Sequence, residues 1–379
     1  MTVAEAYKPG GTGIAVPVAT AILLTEKQQD FSTCHFSLLI SISEADNFDK
    51  NVCPTVCESF AINITLKRTT ASVREFHFPP GSSLTMEISI PTPREFSFKR
   101  TAISHGWCEL LPFKFDQENW RLTRTVDLKD TRPVTITITA GKRALLINSP
   151  RQLSQTAVKQ VNNDVRHMLR LDDDMEEFYR LVKQDADFNW IPAQGAGRLL
   201  RSPTVFEDLV KMICTTNCSW SLTKKMVTGL VENLGRESSG GLRTFPTPEA
   251  MAIMPVKFYV NEVRAGYRSE YLKELADRVA SGELNVEAWF KSPLPTGELM
   301  KEMRGVKGVG PYAAENLLKL LGRYDGLALD SWTRARFFSI RNNGRKTTDK
   351  KIARYYSRFK QWRGLAFWCD MTRDWLDAE

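Results

Sequence analysis

The hydrophobic pattern changes character twice along the chain. Residues 1–85 mix Gly, Pro, Ser and Thr with short apolar runs that sustain no period, which reads as an N-terminal extension that is partly disordered. From residue 86 to about 165 the runs become short and β-branched. Met86-Glu-Ile-Ser-Ile90 and Val134-Thr-Ile-Thr-Ile-Thr139 alternate apolar and polar positions between turn clusters. A period of two puts alternate side chains on one face, so this stretch predicts an antiparallel sheet covered on one side. After Pro150 the period turns helical. Val205, Phe206, Leu209, Val210 and Ile213 share one face of a helix that Ser202-Pro203-Thr204 can start, and Gly235 with Ser238-Ser-Gly-Gly241 reads as a stop and a loop. Further helices are predicted around 272–280, 296–304, 311–321 and 363–375. The expected architecture is α+β: the extension over 1–85, a small antiparallel β-sheet domain over 86–165 and an all-α domain over 166–379.

Composition narrows the class. A chain of 379 residues is long for one ordinary domain, and a net charge of +8 favours polyanionic partners, because neutralising phosphates releases their counterions. Seven cysteines, an odd number, suit a reducing compartment better than a disulfide framework; Cys53/Cys57 and Cys214/Cys218 are each four apart, but with only four histidines to complete a set of four convergent ligands a zinc site is not expected. The longest apolar stretch near the start, Ile14 to Leu24, contains Pro17 and is too short to cross a bilayer, so no membrane role is expected.

The most informative segment runs from Met303 to Leu318. A helix carrying Leu299 and Met303 enters a glycine-rich turn, and Pro311 opens a second helix at the one place where its missing N–H loses nothing. Gly308 and Gly310 are expected to take positive φ and let a phosphate or cation approach the main chain, faced by the second helix's first N–H groups. A dinucleotide fingerprint would need a strand before it and a parallel sheet around it, and neither is predicted here. An ordinary tight helix–helix connection fits the same residues. Downstream, Leu327-Ala-Leu-Asp-Ser-Trp332 sets Asp330 in an apolar neighbourhood. Either it caps the helix that Ser331 begins, or it offers a carboxylate beside an anion site. Such a group can stabilise positive charge on a sugar ring whose base is leaving, and can orient the incoming water.

Val306-Lys-Gly-Val-Gly310, followed about twenty residues later by Asp330, resembles the helix-hairpin-helix, Gly/Pro-rich loop and aspartate signature of the DNA glycosylases that include endonuclease III, 8-oxoguanine glycosylase and the inducible bacterial 3-methyladenine glycosylase. Phe206 to Asn217, Gly266 to Tyr271 and Gln361 to Trp368 follow in that family's order, so the resemblance covers roughly residues 86–379. It implies that Asp330 is the catalytic aspartate and that Val306, Lys307, Gly308, Val309 and Gly310 grip phosphate. It also implies that main-chain carbonyls of Arg304, Val306 and Val309 hold a monovalent cation. By the same resemblance Asn217 fills the gap left by an extruded base, Tyr267 and Arg268 wedge into the stack and meet the orphaned partner, and Trp368 lies against the flipped base. Each has a plainer alternative: Asn217 a helix end, Tyr267 and Trp368 core, Arg268 a solvated charge.

Departures from the family refine this. Members that cut the strand carry a lysine where this chain has Tyr312, and a Schiff base needs an amine, so strand scission by that route is not expected. An aromatic residue there is similar to the alkylpurine branch, where it lines the base pocket. Only Cys369 lies beyond Cys218, too few cysteines for the family's iron-sulfur cluster. Lys307 stands where the family usually has Pro. From Arg334 to Arg363 there are eleven Lys or Arg against one acid, Asp349, a run suited to tracking a DNA backbone, Arg334 included. The resemblance therefore implies a monomeric, intracellular, DNA-associated enzyme (nucleus or nucleoid) that acts on double-stranded DNA containing a damaged base, requires no cofactor and hydrolyses without scission. Cationic alkylated purines suit aromatic walls through cation–π attraction, with an oxidised purine second. The alternatives are an oxidised-purine enzyme that uses a non-standard lysine for lyase activity, and an inactive DNA- or abasic-site-binding protein.

Overall fold

The computed structural model describes residues 21–24, 37–40, 85–128 and 131–376. The chain divides into two compact units, residues 1–77 and 78–379. In the first, β1 (Ala21–Leu24) pairs antiparallel with β2 (Ser37–Ile40), Ala21 opposite Ile40. The rest of the predicted extension, and the expectation of partial disorder there, lies outside the described residues.

The second unit opens on a five-stranded antiparallel sheet of β3 (Met86–Pro91), β4 (Phe113–Asp116), β5 (Arg121–Val126), β6 (Val134–Ala140) and β7 (Ala144–Ser149), in the order β3-β7-β6-β5-β4. Its register pairs Ile88 with Ile147, Ile147 with Ile138 and Ile138 with Leu122, so one row of buried apolar side chains crosses four strands. This is the covered face that the period-two pattern predicts. A short helix, α1 (Phe98–Ala102), and a 3-10 turn, Gly106–Glu109, fill the β3–β4 connection.

The helices follow directly: α2 (Gln155–Met168), α3 (Glu176–Lys183), α4 (Trp190–Ala193), α5 (Val205–Thr215), α6 (Trp220–Leu234), α7 (Pro248–Ala252), α8 (Val256–Asn261), α9 (Arg268–Ala280), α10 (Thr296–Arg304), α11 (Pro311–Leu320), α12 (Ser331–Arg341), α13 (Asp349–Tyr356) and α14 (Arg363–Met371). The boundary expected at residue 165 falls inside α2, and sheet and helices share one continuous core. Side-chain caps fix the helix starts. Ser154, Thr204, Ser219, Thr247 and Thr348 each accept the N–H three residues on, and each such cap is worth about 1 kcal/mol. No helix of the described residues is long and apolar enough to cross a membrane.

Helix α5 lies at the centre, packed against α6, α9 and α11. It is tied to the sheet by a buried ionic group. Arg124 of β5 grips Glu207 with two bonds of 3.0 and 2.5 Å, and Lys211, one turn along α5, reaches the same carboxylate at 2.6 Å. Burial opposes ionisation of Glu207, but Arg124 and Lys211 outweigh it and hold its carboxyl down at about 2. The far end of α11 is closed by Arg170, wholly buried, which donates to the carbonyls of Lys319 and Leu320 at 3.2 and 3.0 Å. A cation is thereby placed at the negative end of the helix dipole.

Candidate active site

Helices α10 and α11 form the two arms of a hairpin. Val306 N–H donates to the Met303 carbonyl at 3.0 Å and Val309 N–H to the Val306 carbonyl at 3.1 Å, closing a tight turn. The Val306 and Val309 side chains are buried, so they anchor the turn. Gly308 has φ +86°, and a Cβ there would also lie 2.8 Å from the Tyr271 ring, so glycine is required on both grounds. Gly310 departs from expectation: its φ is −80° and ψ −178°, ordinary extended backbone at the head of α11. A Cβ at Gly310 would meet nothing within 4 Å, and what the missing side chain provides is open space before the helix's first N–H groups. Lys307 at the tip is exposed and pairs with Glu274 of α9.

The two readings of Asp330 turn out to be compatible. It caps α12, its Oδ1 accepting the Thr333 N–H at 2.7 Å and the Thr333 hydroxyl at 2.8 Å, while its own N–H donates to Thr333 Oγ1 at 2.9 Å. Its Oδ2 accepts the Tyr312 hydroxyl at 3.3 Å. Burial, and then the neighbouring Asp330 charge, push the Tyr312 phenol above its ordinary range, so it remains a donor. Two side chains of α11 hold the loop before Asp330. Glu315 accepts the Ala328 N–H at 2.5 Å and Lys319 Nζ donates to the Leu327 carbonyl at 3.0 Å. Between them Ala328 sits at φ +51°, a strained conformation for a residue with a Cβ, and the flanking bonds sustain it.

The hairpin residues Val306 to Gly310, Tyr312 and Asp330 line a cleft of about 1400 Å³ together with Asn217, Tyr267, Lys319 and Trp368. Asn217 lies just past the end of α5, exposed and at φ +47°, where asparagine tolerates the left-handed turn that ends a helix. Tyr267, at the head of α9, is 53% exposed and stands edge-on to Tyr271 at 5.8 Å. Trp368 donates its indole N–H to the Ser104 carbonyl at 2.8 Å and groups with Trp332 and Trp375, ring centres 6.0 to 6.1 Å apart.

Two of the predicted DNA-contacting side chains, Arg268 and Arg334, have protein partners. Arg268 is 3% exposed; its guanidinium binds the Thr216 carbonyl and, at 3.3 Å, the Thr216 hydroxyl, and stacks 4.4 Å from the Tyr267 ring. It braces the turn that presents Asn217. Arg334 is bound in bidentate fashion by Asp349 at 2.8 and 2.9 Å. Other members of the basic run are also held, Arg336 by Asp374, Arg341 by Asp370 and Arg358 by Asp185. Arg345, Lys346, Lys350, Lys351, Arg354 and Lys360 stay exposed.

Sequence reasoning missed Lys319, His105, Trp332 and Trp375, all on the cleft wall. Lys319 was within reach of the pattern, since it lies seven residues after Tyr312 and hence on the same face of α11. Burial lowers its ammonium to about 8, with Glu315 and Asp330 pulling the other way. Burial also takes His105 down to about 4.

No family model matches the chain. Among solved structures, 3-methyladenine DNA glycosylase from Archaeoglobus fulgidus is similar with a TM-score of 0.62 at 21% identity, over 77% of this chain and 100% of that one. The 8-oxoguanine glycosylase/lyase of Clostridium acetobutylicum, in complex with double-stranded DNA containing cytosine opposite 8-oxoguanine, gives 0.59 at 22% identity, over 75% and 93%. This is the helix-hairpin-helix DNA glycosylase fold. A curated protein of Methanothermobacter thermautotrophicus, named a probable N-glycosylase/DNA lyase, is 23% identical over 225 residues, 53% of this chain and 70% of its own length. Within the helix-hairpin-helix glycosylase fold, Tyr312, Lys319 and Asp330 are thus brought to one cleft by α11 and the head of α12.

Proposed function

We propose that this protein is a DNA glycosylase, acting as a monomer, that extrudes a damaged base, a modified purine, from duplex DNA and hydrolyses its N-glycosidic bond without cutting the strand. The observation that carries the reading is Asp330, whose Oδ1 is used by the helix cap while Oδ2 faces the cleft beside Tyr312. A carboxylate so placed stabilises the cationic sugar and takes the proton of the attacking water. The open N–H groups at the head of α11 suit a phosphate, while Asn217 and exposed Tyr267 suit the vacated stack. The carbonyls of Arg304, Val306 and Val309 are neutral oxygen donors of the kind that suits a monovalent cation, which would brace the hairpin. Two of the similar proteins are named lyases; a phenol at position 312 cannot form an imine, which supports hydrolysis here.

On a panel of lesion-bearing duplexes cleaved afterwards with alkali, Asp330→Asn should lower base release by about 10² to 10⁴-fold while DNA binding persists. Full activity in that variant refutes the assignment. A borohydride-trapped enzyme–DNA adduct would refute the hydrolytic route.

A further inference from the structure

Lys319 lines the cleft and has no part in the reaction above. It is 2% exposed, its Nζ gives one hydrogen bond, to the Leu327 carbonyl, and among the described residues no carboxylate lies within ion-pair distance of it. A buried ammonium with no carboxylate in direct contact is a burden on folding, and such groups gather at sites that use them. Its position points to the use. Nζ lies 5.2 Å from the centre of the Trp368 ring, so the aromatic face that would attract a cationic base already holds a positive charge.

We propose that Lys319 is a specificity-determining residue that makes this a pocket for a neutral, carbonyl-bearing purine, oxidised or deaminated, and turns away cationic alkylated bases. This rests on the glycosylase reading and reverses the substrate preference that aromatic walls alone suggest. A cationic base leaves as a neutral molecule and needs no help. A neutral base takes the electron pair of the breaking C1′–N bond and leaves as an anion. The Lys319 ammonium donates first a hydrogen bond and then its proton to that anion. Water bonds to C1′, its proton passes to Asp330, and both groups recover their starting states by exchange with solvent. The groups facing the ammonium keep it charged at neutral pH. Glu315 on its own helix and Asp330 at the head of α12 favour the charge. His105, buried and neutral, adds none, and Arg170 and Arg201 are engaged with the carbonyls at the end of α11. With the ammonium held near 8, it discharges as the solution becomes basic.

The test is single-turnover excision by the full chain on duplexes bearing 8-oxoguanine, hypoxanthine or N7-methylguanine, for wild type, Lys319→Met and Lys319→Gln, from pH 6.5 to 9.5. Wild type should prefer the two oxopurines. Both variants should lose about 100-fold on them at pH 7, as when an oxyanion donor is removed, with N7-methylguanine excision unchanged or raised. The wild-type ratio of neutral to cationic excision should fall through about pH 8, a limb that the variants lack. Preference of wild type for N7-methylguanine, an unchanged ratio in the variants, or a borohydride adduct that vanishes with Lys319 would overturn the proposal while leaving base excision standing. Wild type inert on every lesion would overturn both. A variant that merely misfolds loses all substrates alike, and the wild-type preference and its pH limb then decide.

Discussion

Lys211 and Lys319 sit on packed neighbouring helices, α5 and α11, and are equally sealed from solvent at 0% and 2% exposure. Around Lys211 the fold supplies Glu207 at 2.6 Å and the Ser202 hydroxyl at 3.3 Å, and Arg124 completes the group. Around Lys319 it supplies a carbonyl and the face of a tryptophan. Burial is the same and the meaning is opposite. A buried charge with a full set of partners is part of the scaffold, whereas one left short of partners against a cleft is available to a ligand.

The comparison can be broken first at Lys211. Glu207→Gln leaves Arg124 and Lys211 buried without their counter-charge and should lower the unfolding free energy by about 3 to 5 kcal/mol in denaturant titrations. The acid limb should change as well. The Glu207 carboxyl is held at about 2 in the folded protein, below its ordinary range. Its contribution is therefore complete above that ordinary range and lost as pH falls toward 2, and the variant should lack that part of the acid loss. Lys319→Met should do the reverse and stabilise by about 1 kcal/mol or more at pH 7, since an apolar side chain removes a buried charge that no carboxylate contacts directly. The gain should shrink above pH 8, where the folded wild type releases a proton that unfolded Lys319 still holds. A destabilised Lys319→Met would show that both lysines serve the scaffold. The smallest effect is expected for Tyr312→Phe, which removes a long hydrogen bond to Asp330 worth about 0.5 to 1.5 kcal/mol. Base release should fall by no more than about tenfold and the melting temperature by no more than a few degrees, which separates tuning of Asp330 from the proposed pocket chemistry of Lys319.

The sheet was legible because β3 and β6 alternate for six and seven residues, and the long helices because their apolar faces repeat over several turns. Helix α1 and the 3-10 turn after it are four or five residues each, too short to show a period. The hairpin and Asp330 were legible because their spacing along the chain is itself the motif. The ionic partners were not. Arg336 meets Asp374, Arg341 meets Asp370 and Arg358 meets Asp185, all remote in sequence, so a run that looked uniformly free was partly spoken for. Lys319 itself shares a face of α11 with Tyr312, but its pairing with the Trp368 ring was hidden for the same reason, since that ring arrives from α14. Gly310 is a misreading with a visible cause. The residue before a proline is pushed toward extended backbone, and Pro311 follows it.

The division of labour within the Asp330 carboxylate bears on how such a protein changes over time. One oxygen holds the first turn of α12 and the other faces the cleft. Asparagine caps helices about as well as aspartate, so on the proposed reading a single substitution would silence the chemistry and leave the fold intact. Folding then exerts no selection to keep the acid. In a lineage where excision ceased to matter, this position would drift to asparagine freely, leaving a protein that still grips lesions and releases nothing.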